Sequence, residues 1–246
     1  MSYLPGKFVW FDHIGPAPET SERFYEALFG WRTEVLAEGY RMILNGQDAI
    51  GALRSASAGH PAYWLGYLAV DDVDDCCAAV NSAGGTVSMP PTDFPPLGRA
   101  ALVADPQGLT LSLWCSCQGD RPDAANVSCG DWYWNELLLP DPDRALAFYR
   151  QAFGYDHDSM ATDNGRYYVL KRGGQGRVGL TRLNPGQAQP HCLPYVRVAD
   201  CHASTTLASR LDARVDVPPT DVPGVGRFAV LTDPEGAPLG LLQGNH

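Results

Sequence analysis

Two stretches of this 246-residue chain occur twice, and that constrains its fold more than any other feature. GKFVWFDHIGPAPETSERFYEALFGW (Gly6 to Trp31) aligns without gaps to GDWYWNELLLPDPDRALAFYRQAFGY (Gly130 to Tyr155), with 8 of 26 positions identical. PPTDFPPLGRAALVADPQG (Pro90 to Gly108) aligns to PPTDVPGVGRFAVLTDPEG (Pro218 to Gly236), with 11 of 19 identical. A chain that repeats itself at one period builds one supersecondary unit twice. The offset grows from 124 to 128 between the two pairs, and the Gly173–Gly176 run GGQG is a natural place for the extra residues. A first domain over 1–120, a polar linker over 121–128 and a second domain over 129–246 are expected.

Each copy then reads as the same short pattern run twice. FVWFDHI is a strand by its aromatic and β-branched content. TSERFYEALF has helical spacing and is stopped by Gly30. In the second copy Asp141 suits the N-cap and Pro142 the first turn. Strands follow at Arg32–Val35, Tyr40–Leu44 and Ile50–Leu53, and the pattern restarts with a strand at Trp64–Val70 and a helix over Val73–Ala83. Thr86–Met89, Arg99–Val103 and Leu109–Trp114 complete the copy. The chain is therefore α+β: four βαβββ modules in two domains. One module is too small to bury both faces of its sheet, so modules must pair, curling the sheet with helices outside.

Hydrophobic residues make up 45% of the chain, enough for a real core. The net charge of −10 argues against nucleic acid or an anionic membrane as partner. No basic-then-apolar leader opens the sequence, so a cytoplasmic protein is expected. The seven cysteines form no C-x-x-C pair and suit burial as small hydrophobes rather than a disulfide framework or a metal site.

The run P-D-P-x-R-A-x-x-F-Y-x-x-x-F-G (Pro140 to Gly154), the run G-R-F-A-V-L-x-D-P-x-G (Gly226 to Gly236) and their partners in the first copy resemble the vicinal oxygen chelate superfamily. That superfamily includes glyoxalase I, extradiol dioxygenases and the bleomycin and fosfomycin resistance proteins. The resemblance implies two glyoxalase-like domains with curved mixed sheets. In metal-using members it implies a His in the first strand, where Trp10 and Trp134 stand, and a His in the fifth, near Leu65 and Leu193. It also implies a Glu four residues after the glycine of D-P-x-G, where Ser112 and Gly240 stand. Indole, alkyl and glycine positions cannot ligate a metal, and a serine hydroxyl is a poor ligand. A protein working without metal or other cofactor is expected.

Asp12 and Glu136 occupy equivalent positions and share a strand face with Trp10 and Trp134, so each is a candidate acid or base. His191, equivalent to Tyr63, is a third candidate. His13 points to the opposite face, toward surface or packing; His60, His157, His202 and His246 fall in loops, a helix or the terminus. Trp10, Trp134, Tyr63, Trp64, Tyr67, Tyr195 and Trp114, with Asn135, are expected to line a cavity suited to a planar ligand. Arg99 and Arg227 either pair with Asp93 and Asp221 or anchor an anionic or carbonyl group of that ligand.

Three readings follow. In the first, an enzyme (a lyase, isomerase or hydroxylase) acts on an aromatic or polyketide-like molecule in secondary metabolism such as antibiotic biosynthesis. In the second, a non-catalytic protein sequesters such a molecule and confers resistance. In the third, a metal-dependent glyoxalase or dioxygenase operates. Either a monomer or a homodimer is compatible with fused copies.

Overall fold

The computed structural model describes residues 4–56, 59, 62–124, 126–184 and 189–244. The first copy runs β1 (Phe8–Gly15), α1 (Pro18–Phe29), β2 (Arg32–Ala37), β3 (Tyr40–Asn45) and β4 (Asp48–Ser55). It continues through β5 (Tyr63–Ala69), α2 (Val73–Ser82), β6 (Thr86–Phe94), β7 (Gly98–Ala104) and β8 (Thr110–Ser116). The second repeats the order with β9 (Trp132–Leu139), α3 (Pro142–Phe153), β10 (Asp156–Thr162), β11 (Gly165–Arg172) and β12 (Gln175–Arg182). It ends with β13 (His191–Arg197), α4 (Cys201–Arg210), β14 (Arg214–Val222), β15 (Gly226–Thr232) and β16 (Pro238–Gly244). Each copy forms one eight-stranded mixed, curled sheet, ordered β2-β3-β4-β1-β5-β8-β7-β6 and β10-β11-β12-β9-β13-β16-β15-β14. The parallel pairs are β1–β4 and β5–β8 in the first sheet, β12–β9 and β13–β16 in the second. The four βαβββ modules are thus present.

Local chemistry explains the element ends. Asp141 accepts the Arg144 N–H at the start of α3, Pro142 fills the first turn, and Gly154 closes the helix in the left-handed conformation. Phe148, Tyr149, Ala152 and Phe153 make its buried stripe. The extra residues of the second copy are not in the GGQG turn: Gly173-Gly174 joins β11 to β12 with the same two-residue loop as Gly46-Gln47 between β3 and β4, and the longer β10–β11 hairpin takes up most of the insertion. β6 and β14 run further than their apolar content suggests, through the Pro-Pro-Thr-Asp stretch. Register shifts between Met89 and Thr92, and between Val217 and Thr220, accommodate prolines that have no N–H to give.

Packing does not follow the repeats. One compact unit comprises Met1–Trp10, Leu65–Asp123 and Asn135–Cys192; the other comprises Phe11–Trp64, Ala124–Trp134 and Leu193–His246. Each takes half of each copy, and the two recurring motifs meet inside it across copies. In the second unit the Tyr25 hydroxyl of α1 donates to Asp233 of TDPEG at 2.8 Å. In the first unit the Tyr149 hydroxyl of α3 donates to Asp105 of ADPQG at 3.4 Å. Each aspartate also accepts backbone N–H groups of its own turn: Gln107 and Leu109 for Asp105, and Glu235, Gly236 and Ala237 for Asp233.

The variable residue of D-P-x-G has work of its own. Ala17 gives α1 no side-chain cap. Glu235 supplies one: its Oε1 accepts the Ala17 N–H at 2.6 Å and its Oε2 accepts the Ser21 hydroxyl. Gln107 does the same for the start of α3, exchanging two 2.8 Å hydrogen bonds with the Asp141 backbone. Replacing Glu235 with alanine is expected to lower stability by about 1–2 kcal/mol in denaturant unfolding. Gln107→Ala is expected to lower it less, because Asp141 still caps α3. No helix among the described residues is long and apolar enough to cross a membrane.

Candidate functional site

The expected carboxylates lie on the sheet faces turned away from the helices. In the first unit α3 covers one face of β11 and β12: Tyr168 hydrogen-bonds Asp143 of the helix, and Leu170, Val178 and Leu180 are buried beneath it. Strand alternation sends Tyr167, Val169, Gly179 and Glu136 to the other face. Gly179 pairs in register with Glu136 and with Val169. A Cβ placed on Gly179 would overlap the Tyr167 hydroxyl and lie 2.9 Å from Glu136 Cγ. The bare glycine therefore lets a phenol lie across β12 beside the carboxylate. Glu136 and Tyr167 are both half-buried.

The equivalent face of the second unit is built differently. Asp12 is 0% exposed, and its Oδ2 pairs with Arg54 Nη1 at 3.2 Å. Ala52 stands opposite Asp12 where Gly179 stands opposite Glu136. Thr181 holds the second-copy position corresponding to Arg54, beside Leu138 as Arg54 is beside Ile14. Tyr63 lies within electrostatic reach of this pair. Burial raises its phenol above the ordinary value, Arg54 opposes the rise and Asp12 adds to it. Two carboxylates with the same sequence position thus differ: Asp12 is buried on a guanidinium, Glu136 is half-open beside a phenol.

The metal-ligand positions do not fit a metal. Leu65 and Leu193 are buried alkyl groups. Ser112 is buried and its hydroxyl is directed to the Ala101 and Leu113 carbonyls. Gly240 pairs in register with Tyr195, and a Cβ there would clash with the Tyr195 ring, 2.2 Å from its Cδ1. The ring, 5% exposed, fills the volume that a glutamate side chain at 240 would need. Among the described residues, no three His, Cys, Asp or Glu side chains come together to hold a metal ion.

The other expected site residues separate by face. Trp10, Trp134, Tyr67 and Trp114 are half-buried, and Tyr67 meets Trp114 edge-on at 6.4 Å. Two expected lining residues turn to the helix side instead. Trp64 is 2% exposed and packs edge-on to His13 at 5.1 Å and against Tyr25 at 5.6 Å. Asn135 is 3% exposed and accepts the Cys192 thiol at 2.9 Å. Both neighbour outward-facing strand residues, Tyr63 and Glu136, so alternation forces them into the core. Tyr195 also belongs to the packed interior, as the cover of Gly240. His191 is half-buried; its Nδ1–H donates to the Gln189 carbonyl at 3.0 Å, and burial lowers its pKa. Arg99 binds Asp74 through Nε (2.8 Å) and Nη2 (3.0 Å) and Asp93 through Nη1 (2.8 Å). Arg227 binds Asp221 at 2.8 and 3.0 Å. These pairs brace the β6–β7 and β14–β15 hairpins.

His13 is not a surface residue. It is 0% exposed, and its Nε2 meets Asp233 at 2.8 Å. That contact, Arg54 and Gly179 are not in the expected set. Only Gly179 carries a sequence signal: an isolated glycine within a strand pattern marks a close approach. His60 and His246 lie outside the described residues. A cavity of about 320 Å³ in the first unit, bordered by Leu68, Val70, Cys76, Ala79, Phe153 and Arg172, holds none of the expected site residues. Burial raises the Cys76 thiol to about 11, which removes it as a nucleophile near neutral pH.

Known proteins resemble the chain over almost all of its length. The family model described as "Glyoxalase/Bleomycin resistance protein/Dioxygenase superfamily" matches residues 8–113, and one described as "Glyoxalase-like domain" matches 136–242. A Mycobacterium tuberculosis protein named "Putative glyoxylase CFP32" is 36% identical, over 98% of this chain and 96% of its own. The "Anthracycline biosynthesis protein DauV" of Streptomyces sp. (strain C5) is 30% identical, over 98% and 94%. The solved structure of an Mn(II)-bound glyoxalase from Novosphingobium aromaticivorans has a TM-score of 0.71 and 16% identity, covering 98% of this chain and 83% of that one; it matches in fold.

Proposed function

We propose that this chain, which belongs to the glyoxalase/bleomycin resistance protein/dioxygenase superfamily, binds an aromatic, polyketide-like small molecule and moves a proton on it without a metal, Glu136 acting as the base. The observation that carries the reading is the placement of Glu136, half-buried on a sheet face beside a phenol that lies over a bare glycine. Asp12 is buried on Arg54, whereas Glu136 is half-open on a sheet face with a phenol beside it. A carboxylate held by a guanidinium is a poor base, because the ion pair favours its charged form. A half-buried carboxylate with a phenol beside it can accept a proton from a bound substrate.

The ligand class rests on two supports. Half-buried aromatic side chains of the first unit (Trp10, Tyr67 and Trp114) can offer ring faces and edges to a planar molecule. A relative across the whole chain is named for anthracycline biosynthesis, which concerns polycyclic aromatic products and fits a place in secondary metabolism. Metal independence rests on the donor set at 134, 193 and 240 and on the Tyr195 ring over Gly240.

A hydroxyanthrone, whose methylene protons are acidic because loss of one gives an aromatic enolate, is a suitable probe. In deuterium oxide without oxygen, the protein is expected to accelerate exchange of those protons, followed by proton NMR. Glu136→Gln is expected to lower the exchange rate about a hundredfold. Asp12→Asn is expected to change stability rather than exchange. Tryptophan quenching on binding, with no exchange in the unaltered protein, would instead support sequestration. Stoichiometric metal retained through dialysis would overturn the metal-free reading.

A further inference from the structure

We infer that Tyr167 is a second catalytic group, which donates a hydrogen bond to the substrate oxygen while Glu136 takes the carbon-bound proton, and that Gly179 exists to seat it. The inference rests on the proton-transfer reading above and adds the acid partner that the reading lacks. Three observations place the pair. Tyr167, Gly179 and Glu136 stand on neighbouring strands, on the face away from α3. The phenol oxygen occupies the space of the missing Gly179 side chain, with Glu136 Cγ 2.9 Å from that same point. Both residues are half-buried, so water is thinned around them without sealing them off.

A carboxylate and a phenol side by side are complementary tools for enolisation. The electron pair of the broken C–H bond becomes the enolate C=C bond, and the proton goes to the Glu136 carboxylate. Negative charge then gathers on the former carbonyl oxygen, where a fixed O–H donor stabilises it more than it stabilises the neutral ketone. Return of the proton to carbon restores the carboxylate, and no oxidant or reductant is consumed.

The first copy carries the counterpart residues without the arrangement. Tyr40 stands two residues before Met42, which pairs with Ala52, as Tyr167 stands two before Val169, which pairs with Gly179. A methyl occupies the saddle there, and the neighbouring carboxylate is committed to Arg54. Tyr40→Phe is therefore the matched control.

The test is anaerobic deuterium exchange of 1,8-dihydroxyanthrone, read as kcat and KM across pH. Tyr167→Phe is expected to lower kcat about a hundredfold with KM within about twofold, since the lost interaction is made in the transition state. Gly179→Ala is expected to give a similar loss by pushing the phenol aside, and Tyr167→Phe/Gly179→Ala to be no slower than the slower single variant. Tyr40→Phe is expected to keep the unaltered rate. Exchange within twofold of the unaltered protein in Tyr167→Phe, with Glu136→Gln inactive, would overturn the role of Tyr167 and leave the base in place. Full activity in Glu136→Gln, or no exchange by the unaltered protein, would remove the proton-transfer reading and this inference with it.

Discussion

Asp233→Ala is expected to cost about 4 kcal/mol or more and to leave little folded protein at moderate temperature, the largest stability effect in the molecule. The side chain is 1% exposed and holds three chain segments at once. Oδ1 accepts the N–H groups of Glu235, Gly236 and Ala237 at 2.8–2.9 Å. Oδ2 accepts from the Tyr25 hydroxyl and meets His13 Nε2, both at 2.8 Å. Deleting the acceptor leaves these donors buried, and each stranded buried donor costs about 1–3 kcal/mol before relaxation. Asp105→Ala is expected to cost less, because Leu137 replaces His13 at the corresponding position and the Tyr149 contact is longer, 3.4 Å.

The two aspartates also respond oppositely to acid. Burial pushes both carboxyls up. At Asp233 the His13 and Tyr25 side chains and the backbone donors more than reverse the push, leaving it below the ordinary 3.8. At Asp105 burial outweighs its hydrogen bonds, and the value lies above 3.8. A depressed folded value means that Asp233 stabilises the fold above its unfolded pKa and loses that contribution as pH falls below 3.8 through the folded value. A raised folded value means that the Asp105 contribution is best below 3.8 and declines as pH climbs through the folded value. Unfolding free energies from pH 2 to 7 for Asp233→Asn and Asp105→Asn check this. The first is expected to remove a rise of stability with pH at the acid end, the second a fall with pH just above it. The same slope change in both variants would contradict the assignment.

Gly240→Glu is the second large effect. It restores the carboxylate that metal-using relatives are expected to carry, yet it is expected to destabilise the protein by about 3 kcal/mol and to bring no metal. The new Cβ would stand 2.2–2.5 Å from three atoms of the Tyr195 ring, and β16 is buried around it, with Leu239 and Leu241 at 1% and 0% exposure. Neither ring nor strand can yield cheaply, because Tyr195 is itself packed against Phe228 with ring centres 6.4 Å apart. Tyr195→Ala in the same chain is expected to recover part of the loss by opening the space. Denaturant midpoints for the single and double variants measure both, and metal content after dialysis measures the rest. A Gly240→Glu protein of unaltered stability that retained a divalent ion would show that the ring is not an obstacle.

Much of the fold was readable in one dimension. Asp141-Pro142 and Gly154 mark α3 because capping and left-handed glycine are local properties of a few residues. The hairpin at Gly173-Gly174 and the arginine braces at Asp93 and Asp221 are likewise short-range. Strand alternation put Asp12 and Glu136 on one kind of face, as found. It also implied that Trp64 and Asn135, each next to an outward residue, could not line that face, and reading them by type rather than by position missed this.

The amino-acid sequence alone determined that the chain builds one βαβββ pattern four times, where its helices start and stop, and which strand positions share a face. Those are consequences of φ/ψ preference, capping and period-two alternation, each acting within a dozen residues. The tertiary structure decided everything that depends on a choice among equivalent partners. Tyr25 had two chemically identical D-P-x-G aspartates available, and only packing assigned it Asp233 of the other copy. Asp12 and Glu136 were interchangeable by position until β4 brought Arg54 to one and β12 left a bare glycine under a phenol beside the other. A repeated sequence cannot distinguish its own copies by local pattern; the distinction arises where strands far apart in the chain meet.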